Sequence, residues 1–212
     1  MNTKAQNILN ELFSAYPALG GCKDDITRAA QLILECAKSR ALIMICGNGG
    51  SAADSEHIVG ELMKGFLLRR PLSEAEKERF GAENGFIAEK LQKAIRAVSL
   101  TSQQGLISAF SNDVDASLVY AQQVYAYAVN KNDVLIALST SGNSKNVVNA
   151  AKTANAAGIK SIAITGEKQS ALSESCTVCV RLPSCETYKI QELTLPVYHA
   201  LCAAAEAELF SE

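Results

Sequence analysis

The sequence predicts an α/β fold, a doubly wound five-stranded parallel sheet flanked by helices. Short apolar segments alternate with helix-compatible segments along the chain, which is typical of parallel sheets with right-handed crossovers. Two predicted strands, at 41–46 and 133–138, run directly into loops rich in glycine or hydroxyl side chains. No internal repeat or linker divides the 212 residues, so we expect a single domain over 1–212.

Composition and charge are those of an ordinary globular protein. Hydrophobic residues make up 48% and charged residues 20% of the chain, and the net charge is −2. Such a charge gives no electrostatic reason to expect nucleic acid or an anionic membrane as a partner. Since no apolar run is long enough to span a membrane and the first residues do not resemble a signal peptide, we expect a cytoplasmic protein.

Seven cysteines are scattered along the chain, and this odd number argues against a disulfide framework. Cys176 and Cys179 form a C-x-x-C pair, a spacing that can indicate a redox or zinc site. They lie in a β-branched segment without a second pair nearby, so we interpret them as buried thiols that pack as small hydrophobic side chains.

Two helices are expected ahead of the first strand, within residues 1–39. Residues 4–15 have the apolar spacing of a surface helix, which Pro17 would end. Asp24 and Asp25 are candidate N-caps for the second helix. Helices in this position either cover the sheet or contact another subunit, and the sequence leaves both possibilities open.

The first strand ends in a glycine turn, Gly47–Ser51, and the helix that follows carries His57 and Glu61. Glycine permits positive φ and close backbone approach, and the first amides of the helix point toward the turn. His57 and Glu61 are spaced i, i+4 and therefore project from one helix face. Taken alone, such a pair is more often a surface pair than a catalytic one.

Residues 67–92 are a charge-dense segment interrupted by glycines, which we interpret as a solvated helical insertion. A second strand is expected at 94–101. Two helices follow, at 102–110 and 116–129, and the loop between them, Ser111-Asn112-Asp113, is of the kind that supplies polar contacts.

The third strand is apolar on both faces, as a central parallel strand should be, and its loop is rich in hydroxyls. Four hydroxyl side chains and the free amides at the N-terminus of helix 145–157 could cradle a phosphate without a lysine; they are those of Ser139, Thr140, Ser141 and Ser144. For one isolated loop a serine-rich N-cap is the simpler interpretation. Two such loops at the carboxyl edge of one sheet favour a phosphorylated ligand.

The chain ends in strands at 161–165 and 177–182 and a helix from Thr187 to about Leu209, which Pro196 would bend. Gln191 and His199 are about 80° apart on that helix, so both could face one site.

The second polar constellation combines His57 and Glu61 with Gln191 and His199. Two imidazoles, a carboxylate and an amide oxygen can hold a divalent metal or provide an acid–base pair. For His199 alone, a core histidine with a satisfied ring is the commoner explanation. The residues by themselves therefore predict a sugar- or nucleotide-phosphate site with an acid–base pair.

Together these motifs resemble the SIS (sugar isomerase) domain family and, within it, the phosphoheptose isomerases. The hydroxyl loop indicates only an SIS domain, whereas the histidine, glutamate and glutamine set singles out the isomerases. The resemblance spans about residues 25–209 and rests on C-G-N-G-G-S-A-A-D-S-E-H from Cys46, Glu61 four residues later, N-D at Asn112, S-T-S-G-N-S from Ser139, I-Q-E from Ile190 and His199.

The resemblance implies a ketose–aldose isomerisation, sedoheptulose 7-phosphate to D-glycero-D-manno-heptose 7-phosphate, through an enediolate. Glu61 and His199 would be base and acid. The implied zinc ligands are His57, Glu61, Gln191 and His199. The implied substrate contacts are Asn48, Gly49, Gly50, Ser51, Asn112, Asp113, Ser139, Thr140, Ser141, Ser144 and Gln191. A homotetramer with sites between subunits is also implied.

Three features depart from the family pattern. Compact members continue from Glu-Leu into Gly-Arg, whereas this chain has Lys64-Gly65, so one substrate contact is not matched. Residues 67–92 are extra, and Thr194 stands where many members have another histidine.

A different class of function is also compatible with the fold. Some SIS proteins, such as the DnaA initiator-associating protein, bind a protein partner, and others sense sugar phosphates without catalysis. The first lacks the full acid–base set and the second usually carries a DNA-binding module, which favours the enzyme here.

Overall fold

The computed structural model describes residues 1–211. Its centre is a five-stranded sheet in the order β2-β1-β3-β4-β5, and every neighbouring pair is parallel. The predicted doubly wound fold is thus confirmed. The strands are β1 (Ile43–Cys46), β2 (Ala97–Ser99), β3 (Val134–Leu138), β4 (Lys160–Gly166) and β5 (Val178–Leu182).

Helices surround the sheet, and several begin or end in short 3₁₀ turns. They are α1 (Thr3–Ala15), α2 (Lys23–Lys38), α3 (Gly50–Met63), α4 (Glu74–Glu78), α5 (Gly85–Lys90), α6 (Gln104–Phe110), α7 (Val119–Tyr127), α8 (Lys145–Ala156), α9 (Ala171–Ser175) and α10 (Thr187–Phe210). Within residues 1–211, no helix combines the length and the apolar character that crossing a membrane requires.

Successive side chains of each strand point to opposite faces of the sheet, and they fill two apolar cores, one on each face. Ile43 and Ile45 of β1 point into the core that α1, α2 and α10 cover, whereas Met44 and Cys46 point into the core under α7 and α8. Successive strand side chains point to opposite faces, so burial on both faces requires an apolar residue at every position of β1.

The chain reverses direction across the sheet between β1 and β3. From β1 it builds outward to β2 on one side, and from β3 to β4 and β5 on the other. Loops that follow two strands on either side of such a reversal diverge and leave a crevice at the carboxyl edge. Because Cys46 pairs with Ala137 in register, the glycine turn and the hydroxyl loop begin side by side at this crevice.

Helix α2 begins slightly earlier than predicted. Its N-cap residue is Cys22, and Asp24 and Asp25 lie in the first turn, so they are not the caps. A 3₁₀ turn over Pro17–Cys22 leads directly into the helix and starts it before the aspartates. Their charges still favour the positive end of the helix dipole.

The polar segment predicted as a loop at 111–113 is helical instead. Residues Ser111–Asp115 form a π-helical turn that continues α6, and a 3₁₀ turn leads on into α7. Backbone bonds of the wider i→i+5 type keep the segment helical, although its polar side chains stay exposed.

Residues 67–92 contain α4 and α5 and are closed by an isolated antiparallel bridge between Pro71 and Gln92. A capping box formed by Ser73 and Glu76 starts α4. The helical character agrees with the prediction, but Arg70 is buried rather than solvated, with 1% of its surface exposed.

All seven cysteines are free thiols. Cys176 and Cys179 are half-buried and unbridged, and Cys185 is exposed. The C-x-x-C spacing therefore marks two packed thiols and no disulfide.

Candidate active site

The glycine turn after β1 needs a residue without a side chain at its start. A Cβ on Gly47 would lie 2.6 Å from the carbonyl oxygen of Ser51, closer than real Cβ atoms approach. Gly49 has φ of 56°, a conformation that favours glycine. The turn can therefore fold back tightly onto the first residues of α3, where Ser51 is buried.

Asn48 joins the two loops. Its side-chain amide and that of Asn146 in α8 exchange two hydrogen bonds of 2.9 Å. The Tyr120 hydroxyl donates to the carbonyl of Gly47 at 2.8 Å and lies 3.3 Å from Asn48 Oδ1. The amide of Asn48 is thus largely engaged in holding the crevice together. No spacing or motif in the sequence marks Asn146 or Tyr120 for this task.

The hydroxyl loop after β3 turns its side chains toward one another. Ser139 Oγ lies 3.1 Å from Ser144 Oγ and 3.5 Å from Ser141 Oγ. Ser144 occupies the N-cap of α8 but makes no side-chain hydrogen bond to the helix. A simple serine cap therefore does not describe the loop, and the geometry leaves helix amides and hydroxyls available to an anion. Thr140 is half-buried and Ser141 exposed on the same loop.

Replacing Gly142 should strain this loop. Its φ is 66°, and an added Cβ would lie 2.5 Å from Ser170 Cβ. We expect Gly142→Ala to lower the free energy of unfolding by about 1–3 kcal/mol, measured by denaturant titration. The matched control is Gly105→Ala in α6, where an added Cβ meets nothing within 4 Å. Equal stability of the two variants would show that the loop adapts without strain.

Three of the four predicted acid–base and metal residues converge. His57 Nε2 lies 3.2 Å from Glu61 Oε1 on α3 and 3.5 Å from His199 Nε2 on α10. The histidines are 142 positions apart in the chain, and their rings meet edge to face with centroids 5.0 Å apart. Lys64 donates to the second oxygen of Glu61 at 2.8 Å, so a cation is present although the family arginine is missing.

Gln191 lies at the other end of the crevice. A Cβ on Gly50 would come within 3.1 Å of Gln191 Cδ, so this side chain packs against the start of α3. His57 and Glu61 lie two to three helical turns further along. Among the described residues no contact joins Gln191 to the histidines or to Glu61.

Asn112 and Asp113 stay apart from these groups. Both are exposed on the π-helical turn, and the Asn112 amide donates to Asp113 Oδ1 at 2.8 Å. The described contacts link neither residue to the glycine turn or to the hydroxyl loop.

The electrostatics separate the roles of Glu61 and His199. Burial raises the pKa of Glu61, but the hydrogen bond and charge of Lys64, together with His57, bring it below its ordinary value. Burial and the charge of His57 lower the pKa of His199, against the opposing effect of Glu61. At neutral pH the site therefore holds an ionised carboxylate beside a neutral imidazole.

The donor set fits a zinc ion in chemistry and partly in position. With bonds of about 2.0–2.1 Å, two ligand atoms on a tetrahedral zinc lie about 3.3 Å apart. The separations of 3.2 and 3.5 Å around His57 Nε2 are close to that spacing. Even so, no group of three His, Cys, Asp or Glu side chains within residues 1–211 is arranged to hold a metal ion as it stands.

Comparison with known proteins gives consistent results. The SIS domain family model matches residues 19–78 and 73–166. The phosphoheptose isomerase of Akkermansia muciniphila is 31% identical over 210 residues, 99% of either chain. That of Rhodospirillum rubrum is 34% identical over 193 residues, 91% of this chain and 90% of its own.

Solved structures agree with these sequence relatives. Phosphoheptose isomerase GmhA from Neisseria gonorrhoeae superposes with a TM-score of 0.71 at 27% identity, covering 95% of this chain and 98% of its own. A phosphoheptose isomerase from Francisella tularensis superposes with a TM-score of 0.71 at 26% identity, covering 93% of this chain and 97% of its own. On family match, identity and fold together, the chain belongs to the phosphoheptose isomerase family of SIS-domain enzymes.

Proposed function

We propose that this protein converts sedoheptulose 7-phosphate to D-glycero-D-manno-heptose 7-phosphate, a ketose–aldose isomerisation. The observation that carries the proposal is the convergence of His57, Glu61 and His199 in a crevice that also holds a hydroxyl loop at a helix N-terminus. The names of the relatives support the choice of substrate.

The phosphate end of the sugar would bind at the hydroxyl loop. Hydroxyls of Ser139, Ser141 and Ser144 and the first amides of α8 supply donors there, and the helix dipole favours the negative charge. Gln191, packed against Gly50, lies where it could donate to sugar or phosphate oxygens. The reacting carbons would then lie toward Glu61.

Glu61 would act as the base at the carbon atoms. Its carboxylate takes the proton from C1 of the ketose, which gives an enediolate, and returns that proton to C2. His199 moves the proton between the two oxygens, so the reaction needs no external oxidant or reductant. A zinc ion held by His57, Glu61 and His199 would supply Lewis-acid polarisation of the carbonyl. Gln191, predicted as a fourth ligand, packs against Gly50 two to three helical turns away and would contact the sugar instead.

A homotetramer with sites between subunits is part of the proposal. Large apolar side chains are exposed outside the crevice, among them Tyr125 at 76% and Val129 at 89%. Contacts between subunits would give such residues a partner.

Turnover of sedoheptulose 7-phosphate by the purified protein tests the proposal. We expect aldose product to form, to stop after chelation and to return when zinc is added. Turnover that does not change on chelation would support the isomerase activity and contradict the role of the metal ion. Absence of product with and without zinc would overturn the proposed activity and favour a binding-only SIS protein.

A further inference from the structure

A tyrosine and an aspartate lie behind His57, on the side away from the crevice. The Tyr198 hydroxyl is 2.9 Å from His57 Nδ1 and 3.4 Å from Asp54 Oδ1. Tyr198 comes from α10 and is 2% exposed, whereas Asp54 precedes His57 by three residues on α3. Neither residue is among the side chains predicted for the site.

The Tyr198 hydroxyl has one proton to donate, which can go either to Asp54 or to His57 Nδ1. A carboxylate can only accept, so when both hydrogen bonds form, the one between Tyr198 and Asp54 uses the phenolic proton. The phenolic oxygen then accepts the other bond, which requires a proton on His57 Nδ1. In a neutral imidazole with its proton on Nδ1, Nε2 carries a lone pair.

That lone pair faces the acid–base groups. His57 Nε2 is 3.2 Å from a carboxylate oxygen of Glu61 and 3.5 Å from His199 Nε2. If His57 carried its proton on Nε2, it would donate to Glu61 and could not bind a cation there. Which proton His57 carries therefore decides whether the three side chains can share a metal ion.

We propose that Asp54 and Tyr198 are positioning residues that hold the proton of His57 on Nδ1 and so keep Nε2 free for a cation shared with Glu61 and His199. The inference rests on the proposed zinc-assisted site. It adds the hydrogen-bonded relay behind the ligand, which fixes both the tautomer and the ring orientation. Since Tyr198 and Asp54 come from different helices, the relay also ties α10 to α3 at the site.

Tyr198→Phe is the informative variant because it removes the hydroxyl and keeps the ring. That ring packs edge to face against His57 and His199, with centroids 5.4 and 4.9 Å away. Tyr188→Phe is the matched control, since Tyr188 starts the same helix and is 57% exposed.

The tautomer can be measured directly, on metal-free protein, by two-bond ¹H–¹⁵N NMR of ¹⁵N-histidine-labelled samples. The chain has only two histidines, so in a His199→Gln background every histidine signal comes from His57. We expect the Nδ1–H pattern for His57 in the wild type and in Tyr188→Phe, and loss of that preference in Tyr198→Phe and Asp54→Asn. A wild-type His57 with its proton on Nε2 would overturn the proposal.

Zinc affinity, measured by competition with a chromophoric chelator, provides the second readout. We expect Tyr198→Phe to weaken zinc binding by about 10- to 100-fold and Tyr188→Phe to leave it unchanged. Unchanged affinity in Tyr198→Phe would refute the positioning role. A wild type with the expected tautomer and zinc affinity but without turnover would contradict the proposed function alone.

Discussion

Glu61→Gln should remove nearly all isomerase turnover while leaving the fold intact. Glutamine has the same shape as glutamate but cannot take a proton from carbon, and general-base catalysis typically contributes about 10²- to 10⁴-fold. We expect kcat/KM for sedoheptulose 7-phosphate to fall by about that factor. Steady-state kinetics measure the effect, and a thermal unfolding curve close to that of the wild type would show that the protein still folds.

Glu56→Gln is the matched control for this substitution. Glu56 lies on the same helix, is exposed, and accepts a hydrogen bond from the Ser102 hydroxyl at 3.0 Å, away from the histidines. Its turnover should match the wild type. Zinc content must be measured for both variants, because loss of a ligand and loss of a base both reduce the rate. If zinc-loaded Glu61→Gln kept turnover within a few-fold of the wild type, another group would have to be the base.

Glu206→Gln should be among the most destabilising single changes in the chain. The carboxylate is fully buried and accepts hydrogen bonds from the backbone amides of Phe66, Leu67 and Leu68 at 2.7–2.9 Å. It also pairs with the buried Nε of Arg70 at 2.7 Å. Removing one charge leaves the other buried without compensation, so we expect the free energy of unfolding to fall by about 3–5 kcal/mol in a denaturant titration.

An exposed ion pair provides the comparison. Lys189 and Glu186 lie 2.7 Å apart, with about half of each side chain exposed. Glu186→Gln should therefore leave the denaturant midpoint of unfolding almost unchanged. If Glu206→Gln and Glu186→Gln lowered the stability of the protein equally, the buried position of the Arg70–Glu206 ion pair would add nothing to stability.

Arg70 connects this ion pair to the site. Its guanidinium donates to the carbonyls of Leu62 at 2.7 Å and Glu61 at 3.2 Å, the last turn of α3. The side chain thus bonds carbonyls that lack a partner within the helix, and the Leu62 carbonyl also accepts from the Ile95 amide at 3.0 Å. Loosening the pair should therefore also lower turnover, because the backbone that carries Glu61 loses its support.

The fold could be predicted because its signals are local. Apolar strands bounded by glycine and hydroxyl loops are visible within short windows of sequence, and their alternation with helices determines a parallel sheet. The pairing of His57 with Glu61 follows from helical spacing alone. Their meeting with His199 required the family resemblance, since no local pattern reports a contact across 142 positions.

Other features could not be predicted from local pattern. Arg70 lies in a charge-dense segment, where mixed charges usually indicate solvent exposure, and its partner Glu206 is 136 positions away. Tyr198 looks like one more apolar position of α10 until the structure places its hydroxyl beside His57. The π-helical turn at 111–115 arises from backbone bonding that polar, turn-favouring side chains do not suggest.

The packing of α1 has a consequence during synthesis of the chain. Ala5, Leu9 and Leu12 of α1 are buried mainly against α10, and the Asn2 amide donates to the carbonyl of Ala207 at 3.0 Å. The ribosome makes α10 about 170 residues after α1, a delay of roughly 9 to 34 seconds at cellular rates. Helix α1 is thus synthesised well before α10, and its apolar face must be covered by a chaperone or by transient contacts until α10 is available.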